Sequence, residues 1–130
     1  MKFEVPYNFS KDFIQKVLER KDLFEYIDSF YVAAWKDDCD NTRLGLTFQD
    51  DYPKTFEEYV ERIHELQSLQ IPVCILAQKN AGFDMIEKYI NLGIRAFTIN
   101  DDNLAIEIKN KYPDVRLTLS ITRALSLSDI

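Results

Sequence analysis

Apolar runs of strand length recur along this chain, and the segments between them carry helical periodicity. This alternation is typical of βα units around a parallel sheet, because each crossover between parallel strands needs a helix-sized connection. The second run is apolar throughout, which favours a strand covered on both faces. The sequence therefore predicts an α/β protein with about five parallel strands alternating with helices, at residues 2–7, 29–35, 71–77, 95–99 and 115–121.

Short polar signals mark where helices begin and end. Thr55 with Glu58 at the third following position predicts a capping box, in which the hydroxyl and the carboxylate each accept from a free backbone N–H. Gly93 suits the left-handed residue that ends many helices. Asp101 and Asp102 follow the fourth run directly, where a carboxylate predicts an N-cap for the next helix.

Two architectures accept such a pattern. One is half of a (β/α)8 barrel, since the complete form needs about 250 residues and this chain has 130. The alternative is an open, flavodoxin-like doubly wound sheet with strand order 2-1-3-4-5. The sequence ends almost directly after the fifth run, without a covering helix, and this favours the half-barrel. Residues 1–130 then form a single α/β domain that is truncated at its C-terminus.

Composition restricts the classes of partner. The chain has 22 Asp and Glu against 16 Lys and Arg, a net charge of −6, so a basic surface that follows nucleic-acid phosphates is not expected. No apolar stretch approaches the roughly 18 residues of a membrane span, and no signal peptide is evident. Cys39 and Cys74 have no zinc-site spacing. We expect a cytoplasmic protein that binds neither nucleic acid nor membrane, with no metal and no cofactor.

One stretch of the sequence resembles a known family. Residues 93–114 read GIRAFTINDDNLAIEIKNKYPD, and residues 117–120 read LTLS. They resemble the collagenase-like U-thirty-two peptidase family, whose members commonly show a glycine, a strand, an Asn- or Asp-containing turn, and a helix ending in Lys-x-x-Tyr-Pro before a strand with a serine. The opening Val5-Pro6-Tyr7-Asn8 is also similar to the start of one branch of that family.

The resemblance covers most of this chain but only the N-terminal half of a family member. It implies a TIM-type barrel, of which this chain would be half. Some relatives are peptidases, and others act in RNA or quinone hydroxylation with an iron–sulfur cluster. The cluster cysteines lie in the C-terminal half of those relatives and have no counterpart here, so no cluster is expected.

Polar residues at the carboxyl ends of parallel strands share one edge of a sheet, where α/β proteins place ligands. The candidates for binding a small molecule or peptide are Tyr7, Asn8, Lys79, Asn80, Asn100, Asp101, Ser120 and Arg123. Asp101 competes as a helix cap, and Lys79 and Arg123 compete as solvated surface charges. No catalytic residue is named, because the single histidine, His64, falls inside a helix away from this edge.

A half-barrel leaves the outer edges of its first and last strands unpaired, and unpaired edges recruit other strands. We therefore expect a homo-oligomer or a complex with a complementary subunit. The alternative function is a non-catalytic, flavodoxin-like regulatory or binding module that uses the polar, acidic segment 36–54 as its contact surface. The segment's length also makes it a candidate lid.

Overall fold

A computed structural model describes residues 2–38, 51–77 and 81–119. Its sheet has five strands, and every neighbouring pair is parallel. The predicted α/β class with parallel strands alternating with helices is confirmed. In chain order the elements are β1 (Phe3–Pro6), α1 (Phe13–Leu18), a 3-10 helix (Lys21–Tyr26), β2 (Ile27–Ala33), α2 (Phe56–Gln67), β3 (Val73–Ala77), α3 (Phe83–Ile90), β4 (Ala96–Ile99), α4 (Asp102–Lys111) and β5 (Arg116–Leu119).

The strand order is β1-β2-β3-β4-β5, so each strand lies beside the next one in sequence. β1 is therefore an edge strand, whereas the order 2-1-3-4-5 of flavodoxin-like sheets would place it inside the sheet. Crossovers between parallel strands are almost always right-handed. A chain that steps repeatedly in one direction then keeps all its helices on one side, which is the winding of a (β/α)8 barrel.

Alternate residues along each strand face this helix layer. In β3, Val73, Ile75 and Ala77 belong to the apolar core, and Cys74 and Leu76 between them point to the opposite face. The helices add their apolar stripes to the same core: Tyr59, Ile63 and Leu66 from α2, Ile86, Tyr89 and Ile90 from α3, and Leu104 and Ile108 from α4. We call this side the helix-covered face, and the side of Cys74 and Leu76, which none of the described helices covers, the helix-free face.

The structure confirms the predicted helix start at Thr55 and the predicted helix end at Gly93. Thr55 accepts a hydrogen bond from the backbone N–H of Glu58 at 3.2 Å, and the Glu58 carboxylate accepts from the backbone N–H of Lys54 at 2.9 Å. Gly93 has a φ of 94°, a left-handed conformation that glycine adopts at little steric cost. The chain therefore turns directly from α3 into the segment that leads to β4.

The second strand is displaced from its predicted bounds. It begins at Ile27 rather than at residue 29, and it ends at Ala33, although the N–H of Ala34 still donates to the carbonyl of Leu76 in β3 at 3.0 Å. The N–H of Trp35 donates to the Tyr89 hydroxyl at 2.8 Å, so a side chain of α3 takes the place of a neighbouring strand. A hydroxyl partner so distant in sequence is not encoded in the apolar pattern of the strand.

Pro6 lies at the one kind of position that a proline tolerates in a sheet. The N–H of Tyr7 donates to the carbonyl of Tyr31 in β2 at 3.0 Å, so the backbone of Tyr7 faces β2. Successive residues of a strand face opposite sides, and the nitrogen of Pro6 therefore faces the open edge. No sheet hydrogen bond is lost, which is why proline is confined to edge strands.

Candidate functional site

The carboxyl end of β1 places its candidate residues in different surroundings. Tyr7 is 3% exposed, and its hydroxyl accepts a hydrogen bond from Arg62 at 3.3 Å. Burial raises the pKa of Tyr7 above its usual range. Asn8 is exposed, and its side-chain oxygen accepts from the backbone N–H of Ser10 at 3.0 Å. Tyr7 is thus part of the core, and Asn8 is the member of the pair that solvent reaches.

Arg62 also fixes the backbone that follows β1. Its guanidinium donates to the carbonyls of Phe9 and Asp51, both at 2.8 Å. Phe9 is fully buried with a φ of 61°, a left-handed conformation that bulky residues rarely adopt. The contacts of Arg62 hold this unfavourable conformation in place, so the segment that carries Asn8 has a defined position.

At the carboxyl end of β4, Asn100 and Asp101 are neighbours with different roles. Asp101 accepts hydrogen bonds from the backbone N–H groups of Asn103 at 2.8 Å and of Leu104 at 3.1 Å. It is the N-cap of α4, as its sequence position predicts. Asn100 is half-buried at the same edge. Asn8 and Asn100 are therefore the described candidates whose side chains carry no assigned capping or core role at this edge.

The remaining candidates lie outside the described residues. They are Lys79, Asn80, Ser120 and Arg123, together with Cys39 and most of the acidic segment. His64 lies on the exposed surface of α2, in agreement with its predicted position inside a helix. Within 2–38, 51–77 and 81–119 no group of His, Cys, Asp and Glu is arranged to hold a metal ion. In the same ranges no helix is long and apolar enough to cross a membrane.

A network of polar contacts joins α3 to the segment that follows the carboxyl end of β2. The Tyr89 hydroxyl donates to one oxygen of Asp38 at 2.7 Å, and the Lys88 ammonium pairs with the other oxygen at 2.7 Å. Burial, the neighbouring Tyr59 and the hydrogen bond to Asp38 raise the pKa of Tyr89 far above its usual range. The hydroxyl therefore stays protonated and fixes the start of the acidic segment.

No local pattern in the sequence predicts this network, because Tyr89 follows the apolar periodicity of α3 and its partners lie far away in the chain. The Lys88 ammonium also lies 4.2 Å from the centre of the Phe56 ring, an attractive position for a cation. The indole of Trp35 stacks on Tyr52 at a centroid distance of 5.7 Å, and burial raises the pKa of Tyr52 to about 12. These side chains contact one another and stabilise the carboxyl edge of the sheet beside β2.

The helix-free face carries small and polar side chains together with Leu76. Tyr31, Cys74, Ala96 and Arg116 form a continuous row across four strands, because the strand register pairs each with the next. The Cys74 thiol lies 3.4 Å from the Thr98 hydroxyl. Burial raises the pKa of this thiol, and the positive charge of Arg116 partly opposes the rise.

An ion pair joins the two sides of this face at the amino ends of the strands. Arg116 of β5 lies 3.6 Å from the carboxylate of Asp28 in β2, so its side chain extends past β4 and β3. Phe3 pairs with Ile27 and Glu4 with Ser29, which leaves Asp28 as the unpaired residue of a β-bulge. Bulges redirect side chains, and here the redirected carboxylate meets Arg116. The helix-free face is thus bridged at one end.

Exposed apolar side chains lie at the two flanks of the sheet. Among the described residues the large exposed ones on the β1 flank are Phe3, Leu18, Leu23 and Tyr26, and those on the β5 flank are Ile106 and Leu119. On the β1 flank, Phe3, Leu23 and Tyr26 border a groove of about 440 Å³ whose other lining residues are mostly apolar but include Lys16 and Arg20. α2, β3 and α3, in the middle of the sheet, expose no large apolar side chain of this kind.

The comparisons with known proteins give no relative. No protein-family model matches the sequence, no curated protein matches it, and no solved structure matches it.

Proposed function

We propose that this chain is a ligand- or peptide-binding subunit, related to the U-thirty-two peptidases, that completes a barrel-type sheet with a second copy of itself. The β1 flank of one protomer lies against the β5 flank of its partner, and a two-fold axis repeats the contact. The two sheets then form one closed ring of parallel strands. The ligand binds at the carboxyl edge of the ring, next to Asn8 and Asn100.

The distribution of exposed apolar side chains carries this proposal. Soluble monomers rarely expose large contiguous apolar patches, and such patches mark interaction sites. Here the exposed patches occupy the first and last βα units, as Tyr26 and Ile106 illustrate with exposures of 44% and 60%. A head-to-tail contact between flanks buries both patches at once, whereas a contact through the middle of the helix layer buries neither.

The backbone groups at the two edges also complement each other. The N–H of Arg116 donates to the carbonyl of Arg95, the residue before β4, so the N–H groups of Leu117 and Leu119 face the open edge of β5. At the other edge, the carbonyls of Glu4 and Pro6 face outward. Pro6 removes one donor from β1 but leaves both acceptors, and the two outward N–H groups of β5 can bond to them.

Size-exclusion chromatography with light scattering tests the assembly. We expect the wild-type chain to form a dimer, and Leu23→Glu to shift it to monomer because a charge would be buried in the contact. Val60→Glu is the matched control, since Val60 is a half-buried apolar residue on α2, in the middle of the sheet. A wild-type chain that stays monomeric at millimolar concentration, or equal dissociation by both variants, overturns the assembly.

Peptide binding is tested separately. The resemblance to collagenase-like peptidases makes a labelled peptide of Gly-Pro-Pro repeats the first probe, followed by fluorescence anisotropy. We expect binding that weakens in Asn8→Ala and Asn100→Ala but not in Asn103→Ala, whose side chain is exposed beyond the cap of α4. Binding that is insensitive to all three substitutions contradicts the placement at the carboxyl edge.

A further inference from the structure

A second concave region lies at the opposite edge of the sheet. It is a cavity of about 510 Å³ at the amino ends of β3, β4 and β5. Ile71, Pro72 and Ile94 give it an apolar wall. This edge is remote from the carboxyl ends of the strands, where α/β proteins normally bind substrates. A ligand held here would occupy a site separate from the carboxyl edge.

The charge of the cavity wall is opposite to that of the protein. Arg95 and Arg116 line the cavity, and no Asp or Glu of the described residues does. The chain as a whole carries a net charge of −6. The wall therefore carries two guanidinium charges, and the carboxylates that partly offset them, Asp114 and Asp28, lie outside it, which favours an anion in the cavity.

Each arginine has one carboxylate partner, and both ion pairs are long. Arg95 lies 3.7 Å from Asp114, and Arg116 lies 3.6 Å from Asp28. Both distances exceed that of a good hydrogen bond, and both carboxylates lie outside the cavity wall. Each guanidinium has five N–H donors in a planar fork that matches phosphate and carboxylate oxygens. The donors that face the cavity can therefore bind a further anion.

The wall opposite the arginines has a fixed shape. The side-chain amide of Gln67 donates to the carbonyl of Leu92 at 3.1 Å, which ties the end of α2 to the turn after α3. Gly93 in that turn lines the cavity, and a Cβ at this position would lie 3.3 Å from the Gln67 amide nitrogen. A larger residue at position 93 would crowd this contact. The cavity is thus bounded by a defined turn.

We propose that this cavity binds a small organic anion. Its phosphate or carboxylate group contacts Arg95 and Arg116, and its apolar body lies against Ile71, Pro72 and Ile94. Charge-assisted hydrogen bonds from planar guanidinium groups provide the specificity for the anionic group. The apolar wall favours an organic anion over a bare inorganic one.

Isothermal titration calorimetry at low ionic strength tests the site with three probes. Phenyl phosphate and benzoate distinguish a phosphate ligand from a carboxylate ligand, and benzyl alcohol is the neutral control. We expect saturable binding of one anion per chain and no binding of benzyl alcohol. Replacing each arginine by glutamine should weaken binding about tenfold, since each removes a charge-assisted hydrogen bond.

The matched control is Lys11→Gln with Lys54→Gln. It removes two positive charges from exposed residues near the carboxyl ends of the strands, at the opposite edge of the sheet from the cavity. Gln70→Glu is a second variant that keeps both arginines and adds a negative charge at an exposed residue of the wall. We expect Gln70→Glu to weaken binding and the control to leave it unchanged.

The proposal is supported if either anion binds and if Arg95→Gln, Arg116→Gln and Gln70→Glu each weaken that binding. The anion that binds more tightly identifies the ligand class. The proposal is overturned if neither anion binds saturably, if benzyl alcohol binds as well as the anions, or if the Lys11→Gln and Lys54→Gln control weakens binding as much as the arginine substitutions. An arginine variant that fails to fold leaves Gln70→Glu as the deciding measurement.

Discussion

The two faces of the sheet differ although the same strands build both. On the helix-covered face, Ile75 and Phe97 are fully buried against helices. On the helix-free face, Cys74 and Thr98 are the adjacent residues, and they contact each other through a thiol and a hydroxyl. One face therefore buries large apolar groups against helices, whereas the other buries mainly smaller groups such as Cys74 and Ala96, with Leu76 among them.

This difference follows from the order of the strands. In a doubly wound sheet, helices cover both faces and both need large apolar side chains. Here every strand lies beside its sequence neighbour, so the crossovers and their helices lie on one side. The stability of an isolated chain then depends mainly on the helix-covered face, while the helix-free face lines the inside of the closed ring that we propose.

The strongest test of this comparison pairs Phe97→Ala with Thr98→Ala. Phe97 is fully buried among helix residues, and its loss should lower the free energy of unfolding by about 3–5 kcal/mol. Thr98 is half-buried on the other face, and its loss should cost about 1 kcal/mol or less. Urea denaturation at a fixed protein concentration measures both. Equal costs would mean that the two faces are equally important for folding.

A second test addresses the hydrogen bonds that the Tyr89 hydroxyl makes between α3 and the end of β2. Tyr89→Phe removes the acceptor of the Trp35 N–H and a donor to Asp38, and should cost about 2 kcal/mol because buried polar groups lose their partners. Tyr26→Phe is the control, since Tyr26 is 44% exposed, and its free energy of unfolding should stay close to that of the wild type. A neutral Tyr89→Phe would contradict the role of this hydroxyl.

The same hydroxyl predicts a pH dependence. The pKa of Tyr89 is raised above the ordinary tyrosine value of 10.0 in the folded state, so above pH 10 the unfolded chain loses a proton that the folded chain keeps. The folded state then binds more protons, and the free energy of unfolding falls as the pH rises. Below pH 10 this contribution is fully present. Urea denaturation between pH 8 and 11 should show a steeper fall for wild type than for Tyr89→Phe.

A smaller effect is expected where the helix layer meets the carboxyl edge. Asp101→Ala removes the side-chain acceptor of two backbone N–H groups at the start of α4 and should cost about 1 kcal/mol. Glu107→Ala, on the exposed surface of the same helix, is the control. Thermal unfolding followed by circular dichroism compares the two. If Asp101 contacts a ligand in addition, the substitution also weakens ligand binding by more than the loss of the cap explains.

Local signals in the sequence predicted the elements of this fold, and long-range contacts determined the rest. Gly93, Thr55 and Asp101 mark helix ends through interactions within a few residues, so their roles could be read directly. The bond from Tyr89 to Asp38 spans 51 residues, and an apolar stripe does not reveal which hydroxyl partner a tyrosine will meet. The cavity of Arg95 and Arg116 likewise depends on strand register, which charge counts do not contain.

The smallest expected effect concerns Cys74 on the helix-free face, and it measures how open that face is. Cys74 is 6% exposed, and burial raises the pKa of its thiol. Because the thiolate is the reactive form, iodoacetamide should modify Cys74 in a Cys39→Ser chain more slowly in the folded state than in urea, with a rate that rises above pH 9.

Arg116→Gln should slow the reaction further, since the charge of Arg116 favours the thiolate. Arg95→Gln is the control, because Arg95 is not among the charges that act on this thiol. A folded-state rate equal to that in urea would mean that iodoacetamide reaches the helix-free face freely. In that case, a modification rate that falls as the protein concentration rises would show that a second copy covers this face.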